Sequence, residues 1–131
     1  MAELILRADG LEAGLKPHAG GALTHFADLS GPEPVDLLRR GVSGSDDPLD
    51  SAGFPLVPFC NRIRDGRFTF RGREVHLPPN MPGQKHPLHG QGWRGAWQVL
   101  EAGALPTGMI SSSTVHTSVT PVSSTVSASQ G

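Results

Sequence analysis

The sequence has 131 residues, including 17 glycines and 12 prolines, and a net charge of −1. It is long enough for one domain with a core, and the balanced charge excludes any electrostatic reason to expect nucleic acid or a membrane surface as a partner. No stretch approaches the ~18 apolar residues of a membrane span. The single cysteine, Cys60, excludes an internal disulfide, and Glu3 and Arg7 interrupt what would be the apolar part of a signal peptide. We therefore expect a cytoplasmic protein.

Short apolar stretches bounded by glycine and proline predict strands along the first hundred residues. In chain order these strands cover residues 3–8, residues 21–29, a hairpin over 67–78 with its turn at 71–73, and residues 96–102. Alternation places Phe68 and Phe70 on one face of the hairpin, which we expect to be the buried face. The stretch 34–41 is compatible with a short helix or with a strand followed by a turn. The predicted fold class is all-β, with long irregular loops at 42–66 and 78–95.

The composition changes sharply after residue 101. All charged residues precede residue 102, and 13 of the 25 residues from 107 to 131 are Ser or Thr. Such a stretch has too few large apolar groups to offset the entropy of ordering it. We predict a folded portion over residues 1–104 and a disordered tail over residues 105–131, with a glycosylated stalk as the alternative for the tail.

The segment 54–68, FPLVPFCNRIRDGRF, combines an apolar run with the polar pair Asn61-Arg62. Its two prolines exclude a helix interior and a central strand, because proline lacks the backbone N–H and fixes φ. The planar guanidinium of Arg62 could bind sugar hydroxyls, a carboxylate or a phosphate. Spacing alone favours the simpler interpretation that Arg62 pairs with an acidic neighbour such as Asp65 or Asp50.

The segment 86–93, HPLHGQGW, places His86 and His89 three residues apart. Together with His76 they invite a metal interpretation. Pro87 prevents a regular helical presentation of the pair, however, and no Cys, Asp or Glu lies close by in sequence, so we expect no metal. A glycine-rich loop better suits an imidazole that points into a cleft and exchanges a proton near neutral pH. A loop histidine held by backbone groups is the simpler alternative.

Five arginines lie between residues 62 and 73, a density that is also found on anion-binding and nucleic-acid surfaces. Those at 67, 71 and 73 fall at polar positions of the predicted hairpin, so a solvated face explains them more simply. A nucleic-acid role is therefore the weaker hypothesis. Cys60, inside the sequence VPFCN, is predicted to be a small buried apolar residue rather than a thiol nucleophile.

Three segments, taken together and in order, resemble the N-terminal portion of the aldose 1-epimerase (galactose mutarotase) family. They are GGALTHF (20–26), DPLDSAGFPLVPFCNRIRDGRFTFRGREVHLPPN (47–80) and HPLHGQGWRGAWQV (86–99). The resemblance covers residues 1 to about 101. It implies an antiparallel β-sandwich of the galactose-mutarotase type, incomplete in this chain, whose concave face binds a free hexose such as glucose or galactose. The implied reaction interconverts α and β anomers by acid/base ring opening, with neither a cofactor nor a metal.

The resemblance also implies roles for individual residues. Arg62, in the NRI element, corresponds to a residue that hydrogen-bonds sugar oxygens, and Asn61 beside it is a weaker substrate-binding candidate. His89, in the LHG element, corresponds to a residue that lines the sugar site and helps to polarise the ring oxygen, so it is both the catalytic and a substrate-binding candidate. Trp93 or Phe54 is expected to wall the cleft.

The sequence departs from the family toward its C-terminal end. The family's second active-site histidine and its glutamate base lie further along the chain and have no counterpart here, because His116 lies in the Ser/Thr-rich tail and Glu101 in a predicted strand. We therefore expect a truncated or frame-shifted chain that is inactive alone, and we expect His86 to be structural. One alternative is a relative acting on hexose 6-phosphates, since residues 51–101 carry seven basic and three acidic side chains. The other is a non-catalytic carbohydrate-binding module.

Overall fold

The computed structural model describes residues 2–99 and residue 102. These residues divide into two units, the first formed by 2–55, 92–99 and 102, and the second by 56–91. Most of the regular structure in both units is antiparallel β, which confirms the all-β fold class. The helices in this part of the chain are single 3₁₀ turns, none of them long or apolar enough to cross a membrane. The predicted tail at 105–131 lies outside the described residues.

The first unit contains a four-stranded antiparallel sheet. Its strands are β1 (Leu4–Ala8), β2 (Leu11–Lys16), β3 (Ala22–Asp28) and β4 (Val35–Asp36), and they lie in that order. Strands predicted at 3–8 and 21–29 are confirmed, and 34–41 begins as a short strand rather than a helix. β2 was not predicted. It follows a two-residue turn, Asp9-Gly10, whose φ values of 50° and 78° are those of a tight hairpin.

A cluster of polar side chains crosses β1, β2 and β3. His25, which is 7% exposed, places its Nε2 2.9 Å from Glu12 Oε1 and its Nδ1 3.0 Å from Thr24 Oγ1. Thr24 in turn donates a hydrogen bond to Glu3. The cluster fits only because residue 14 is glycine, since a Cβ there would lie 2.6 Å from the His25 ring. The sheet is therefore held by ionic hydrogen bonds as well as by its backbone ladder.

This cluster predicts a loss of stability in acid. A hydrogen bond from Arg7, and then one from His25, holds the pKa of Glu12 below its ordinary value of 4.5. A carboxyl whose pKa is lowered by folding stabilises the protein fully above its unfolded pKa and loses that contribution as the pH falls through the folded pKa. The urea midpoint of the wild-type chain should therefore fall between about pH 5 and about pH 3, and that of Glu12→Gln should fall less.

The control for this prediction is Glu33→Gln, because Glu33 is exposed and makes no ion pair with any residue described. It should reproduce the wild-type pH dependence. Three other carboxyls with lowered pKa values remain in all three proteins: Asp28, Asp46 and Asp65. The contribution of Glu12 is therefore the difference between the wild-type and Glu12→Gln curves of urea midpoint against pH. Parallel curves for wild type and Glu12→Gln would show that the cluster does not contribute.

Trp93 is the largest fully buried side chain of the first unit. It lies in a 3₁₀ turn, Gly92–Arg94, with 0% exposure, and its ring stacks at 5.4 Å on that of Phe54. The chain then continues without a strand through 96–99, so the strand predicted at 96–102 is wrong for these residues. The reason is that Trp97 is held by loop contacts instead of a ladder: its backbone N–H donates to Pro17 and its indole N–H donates to the Gly92 carbonyl at 2.7 Å. A second 3₁₀ turn in this unit is Pro48–Asp50.

The second unit contains a two-stranded hairpin. Its strands are β5 (Arg67–Phe70) and β6 (Arg73–His76), preceded by the 3₁₀ turn Arg64–Gly66. The predicted hairpin is confirmed, but the predicted burial of Phe68 and Phe70 is wrong, since they are 41% and 58% exposed. In the described part of this unit no further strand pairs with the hairpin. Alternation fixed which side chains share a face, whereas burial needs a second layer to cover that face.

Two other predictions for the second unit are corrected. Arg73 pairs directly with Phe70 across the hairpin, so it lies on the aromatic face and not on the polar one. Cys60 is an exposed free thiol rather than a buried apolar residue. The register of the hairpin sets the face of Arg73, whereas Cys60 is exposed because this unit covers little of its own apolar surface.

Candidate functional site

The candidate polar residues come together where two irregular segments of the second unit pair. Residues 61–66 run antiparallel to 86–89, with Ile63 N–H donating to the Pro87 carbonyl at 3.2 Å. Arg62 forms an isolated antiparallel bridge with Leu88. The register thus places Arg62 beside the residue that precedes His89, so motifs 27 positions apart in sequence become neighbours.

Asn61 and His89 hold each other through two hydrogen bonds. The His89 N–H donates to the Asn61 carbonyl at 2.9 Å, and the Asn61 N–H donates to His89 Nδ1 at 2.9 Å. A backbone N–H can only donate, so Nδ1 is the acceptor and the neutral imidazole carries its proton on Nε2. Both residues have positive φ, 62° and 58°, a region sparsely occupied by side chains other than glycine. Such strained residues persist only where their surroundings fix them.

His86 repeats the arrangement at the other end of the same pairing. The Asp65 N–H donates to His86 Nδ1 at 2.8 Å, and Asp65 also has positive φ. Lys85 lies 2.6 Å from Asp65 Oδ1 and, through that hydrogen bond, lowers the pKa of the Asp65 carboxyl. His86 therefore links the segments 61–66 and 86–89 to each other, as a residue with a structural role would.

Arg62 is exposed, and within residues 2–99 its guanidinium makes no hydrogen bond or ion pair with the protein. The acidic neighbours that were expected to pair with it are engaged elsewhere. Asp65 pairs with Lys85, and Asp50 accepts a hydrogen bond from Ser45 Oγ at 2.7 Å. Within residues 2–99 the acidic partner expected for Arg62 is therefore not found, and its five N–H donors make no bond there.

The loop carrying His89 is braced on two sides. Asn80 makes three side-chain hydrogen bonds to it, donating to the carbonyls of Leu88 and Gly90 at 2.8 and 2.7 Å and accepting from the Leu88 N–H at 2.8 Å. On the other side, Gly90 has φ 68°, and a Cβ there would lie 2.1 Å from the Val57 carbonyl oxygen. Sequence reasoning missed Asn80. The LPPN element contains it, but nothing in the sequence shows which backbone groups its amide meets.

The aromatic residues expected to wall the cleft belong to the first unit. There Phe54 and Trp93 stack on each other at an interplanar angle of 28°. Trp93 is fully covered and Phe54 is half-buried, and a role of either ring as a wall of the sugar site stays a prediction. The geometry within the second unit brings Asn61, Arg62 and His89 together.

A metal centre was not expected among the histidines. His76 Nε2 lies 3.0 Å from Oε1 of Glu74, two residues earlier on the same strand, β6. Within the part of the chain that the structure describes, no group of three His, Cys, Asp or Glu residues is arranged to hold a metal ion. The side chains of Arg62 and His89 offer hydrogen-bond donors, the guanidinium N–H groups and Nε2–H.

Residues 8–123 match the family model described as aldose 1-epimerase. The chain belongs to the aldose 1-epimerase family. The match confirms the resemblance seen in the sequence and continues past residue 101 into the Ser/Thr-rich stretch. The aldose 1-epimerases are sugar isomerases, so at the level of the family the substrate is a sugar and the reaction class is isomerisation.

Individual relatives of this aldose 1-epimerase family chain come from Escherichia coli K12. The uncharacterized protein YphB is 50% identical over 68 residues, which are 52% of this chain and 23% of YphB. The uncharacterized protein YihR is 40% identical over 55 residues, or 41% of this chain and 18% of YihR. A crystal structure of an E. coli K12 protein provisionally assigned as an aldose 1-epimerase superposes with a TM-score of 0.69 and 35% identity, covering 78% of this chain and 33% of the other.

These comparisons establish the fold over the matched residues and not the reaction of this chain. The structural match, at 35% identity, shows that the chain has the family's β-sandwich architecture over the matched residues. The chain spans one third or less of the length of each of these relatives. The activity and substrate of a complete family member therefore come to this chain only as proposals.

Proposed function

We propose that the chain binds a free aldohexose through Asn61, Arg62 and His89, at a site belonging to the interconversion of α and β sugar anomers. The observation that supports the proposal is the pair of hydrogen bonds between Asn61 and His89. Next to them lies Arg62, whose guanidinium makes no hydrogen bond or ion pair within residues 2–99. A hexose is a neutral polyol, so it is recognised by several convergent hydrogen-bond donors. The Arg62 fork and His89 Nε2–H supply donors of this kind from adjacent positions.

The proposed reaction needs only proton movements. A base removes the proton of the anomeric hydroxyl, the bond from C1 to the ring oxygen breaks, and the ring oxygen takes up a proton. The open aldehyde turns about the C1–C2 bond, and the reverse steps close the ring on the other face. In this scheme the Nε2–H of His89 donates a hydrogen bond to the ring oxygen, where negative charge develops, and Arg62 orients the neighbouring hydroxyls.

We further propose that these 131 residues bind sugar but accelerate mutarotation little by themselves. The glutamate base and the second histidine implied by the family have no counterpart in matching sequence context. Each such acid or base group typically contributes ~10²–10⁴-fold to a rate. Binding and catalysis are therefore separable in this chain.

Titration with glucose and with galactose tests the binding proposal. Arg62→Ala and His89→Ala should each weaken sugar binding about tenfold, the loss expected when about 1.4 kcal/mol of hydrogen bonding is removed. Arg67→Ala is the matched control, because Arg67 is an exposed arginine of the same unit on β5, outside the paired segments. Equal affinities in all four proteins would contradict the assignment.

Polarimetry of fresh α-glucose or α-galactose tests the catalytic part. The chain should leave the rate close to that of buffer. A rate well above buffer that His89→Ala abolishes would overturn the proposed inactivity and make the chain an epimerase on its own. Sugar binding without any rate enhancement is also what a non-catalytic binding module predicts.

A phosphorylated hexose is the second candidate, and the charge of the second unit favours it. Residues 56–91 contain six arginines and lysines against two acidic residues. Arg62 and Arg64 are both exposed on the paired segment, and arginine binds phosphate through its planar fork. Competition between glucose and glucose 6-phosphate separates the candidates, since the phosphorylated sugar should displace glucose at lower concentration only if the anionic substrate is correct.

A further inference from the structure

Asn80 is the side chain that braces the His89 loop from within the second unit. It is partly buried, and all three of its hydrogen bonds reach backbone groups of residues 88 and 90, which are themselves buried. His89 lies between these two residues. The amide therefore fixes the backbone immediately before and immediately after the catalytic candidate while leaving the imidazole itself untouched.

The orientation of the His89 imidazole depends on this backbone. Residue 89 has φ 58°, a conformation that a histidine in an unbraced loop would leave for more populated regions. If residues 88–90 relaxed, the His89 N–H and Nδ1 could not both stay 2.9 Å from their partners on Asn61. The hydrogen bond at Nδ1 is what keeps the proton of the neutral ring on Nε2, the nitrogen that the proposed function assigns to the sugar.

We propose that Asn80 is a positioning residue that sets the tautomer and direction of His89. The inference rests on the proposed function, because that function assigns His89 Nε2 to the sugar. The effect of Asn80 on the imidazole can nevertheless be measured without any sugar. Asn80 acts through His89 and makes no contact with the reacting atoms in this assignment.

Asparagine suits this position because one side chain must donate twice and accept once. Its NH₂ group meets two carbonyls, and its oxygen meets one N–H. An aspartate of the same shape would keep the acceptor and turn both donated bonds into contacts between oxygen atoms. An alanine would remove all three bonds, and with them the side chain that links residues 88 and 90. The two substitutions therefore perturb the loop in different ways, but we expect the same result from both, a mixture of His89 tautomers.

The test uses the full 131-residue chain labelled with ¹⁵N, in wild type, Asn80→Ala, Asn80→Asp and Gln84→Ala. Gln84 is the matched control, since it is an amide side chain of the same loop that makes no side-chain hydrogen bond with the described residues. Long-range ¹H–¹⁵N correlation spectra report the His89 tautomer directly. Sugar titration and circular dichroism are recorded on the same samples.

Wild type and Gln84→Ala should show His89 with an acceptor Nδ1 and a protonated Nε2. Both Asn80 variants should keep the β-sheet circular dichroism signal, show a mixture of His89 tautomers, and bind sugar about tenfold more weakly, as expected for the loss of one to two net hydrogen bonds. Mixed tautomers in the variants, in a chain whose wild type binds no sugar, would support the positioning role and refute the proposed function.

Three results would overturn the inference. The first is an unchanged His89 tautomer together with unchanged sugar affinity in the folded Asn80 variants. The second is weaker binding with an unchanged tautomer, which would show that Asn80 acts on stability or on the sugar and not through His89. The third is unfolding of both variants, because Asn80 would then hold the fold of the unit rather than orient one imidazole.

Discussion

Replacing Gly90 with alanine should lower the free energy of unfolding by about 3 kcal/mol or more and abolish sugar binding. The reason is that the new Cβ clashes with backbone atoms, which cannot move aside as a flexible side chain can. The Cβ would lie 2.1 Å from the Val57 carbonyl oxygen, 2.3 Å from the carbonyl carbon and 2.5 Å from Pro58 Cδ. These atoms belong to main chain and to a proline ring rather than to the end of a flexible side chain. The φ of 68° adds about 1 to 2 kcal/mol of conformational strain for any L-residue.

Gly83→Ala separates the two contributions to this effect. Gly83 lies in the same unit with a similar φ of 73°, but nothing lies within 4 Å of the position of its added Cβ. It should lose only the conformational part, about 1 to 2 kcal/mol, and keep its sugar affinity. Urea unfolding and sugar titration of both variants provide the measurement. Similar losses in the two variants would show that the approach of Gly90 to Val57 does not constrain the site.

Trp93→Ala should destabilise the chain by about 3–5 kcal/mol, the range found when a fully buried aromatic side chain is truncated to alanine. The Trp93 side chain is 0% exposed, stacks on Phe54 and lies under the Arg94 guanidinium at 4.8 Å. Since small domains have only about 5–15 kcal/mol of total stability, a loss of this size removes a large part of it. The expected result is a clear fall in the urea midpoint.

Trp93→Phe is the matched variant for this prediction. It keeps a six-membered ring to stack on Phe54 and removes less volume, so its loss of stability should be roughly half that of Trp93→Ala or less. Urea midpoints and slopes of the three proteins decide the matter. A loss below about 1 kcal/mol in Trp93→Ala would show that the indole is not part of the stabilising core.

Turn chemistry explains which strands could be predicted from the sequence. Arg71-Gly72 separates two alternating stretches, and the hairpin predicted there is present with both turn residues at positive φ. Asp9-Gly10 is an equally strong signal for a two-residue turn. The following strand, β2, was overlooked because its sequence LEAGLK contains Ala and Gly, which are poor strand formers on average. Its Gly14 is required by the polar cluster that crosses the sheet, which is a tertiary demand that local propensity does not show.

Burial could be predicted less well than pairing. The alternation of Phe68 and Phe70 correctly predicted that they share one face of β5, but this face is exposed. The prediction of burial failed because a sequence does not show which layer covers a strand. The prediction of a strand over residues 96–99 was wrong for a related reason. Their alternation is real, but the hydrogen bonds of Trp97 go to Pro17 and Gly92 rather than to a neighbouring strand.

The candidate site residues came from motif resemblance, and the structure adds what motifs do not contain. Asn61, Arg62 and His89 were named from the sequence, and pairing of their two segments places them side by side. Spacing alone favoured an acidic partner for Arg62, whereas both candidate partners are used elsewhere. The acceptor role of His89 Nδ1 and the brace from Asn80 depend on contacts between distant segments, so no local pattern predicts them.

The hydrogen bond from the Asn61 backbone N–H to His89 Nδ1 also prevents the ring from relaying a proton from one nitrogen to the other. Relay through an imidazole requires one nitrogen to take up a proton while the other releases one. Nδ1 faces an amide hydrogen at 2.9 Å, so it cannot take up a proton without breaking that bond. In the proposed reaction the neutral ring therefore works as a fixed dipole that polarises the sugar. The proton that finally reaches the ring oxygen is delivered by a different group or by water.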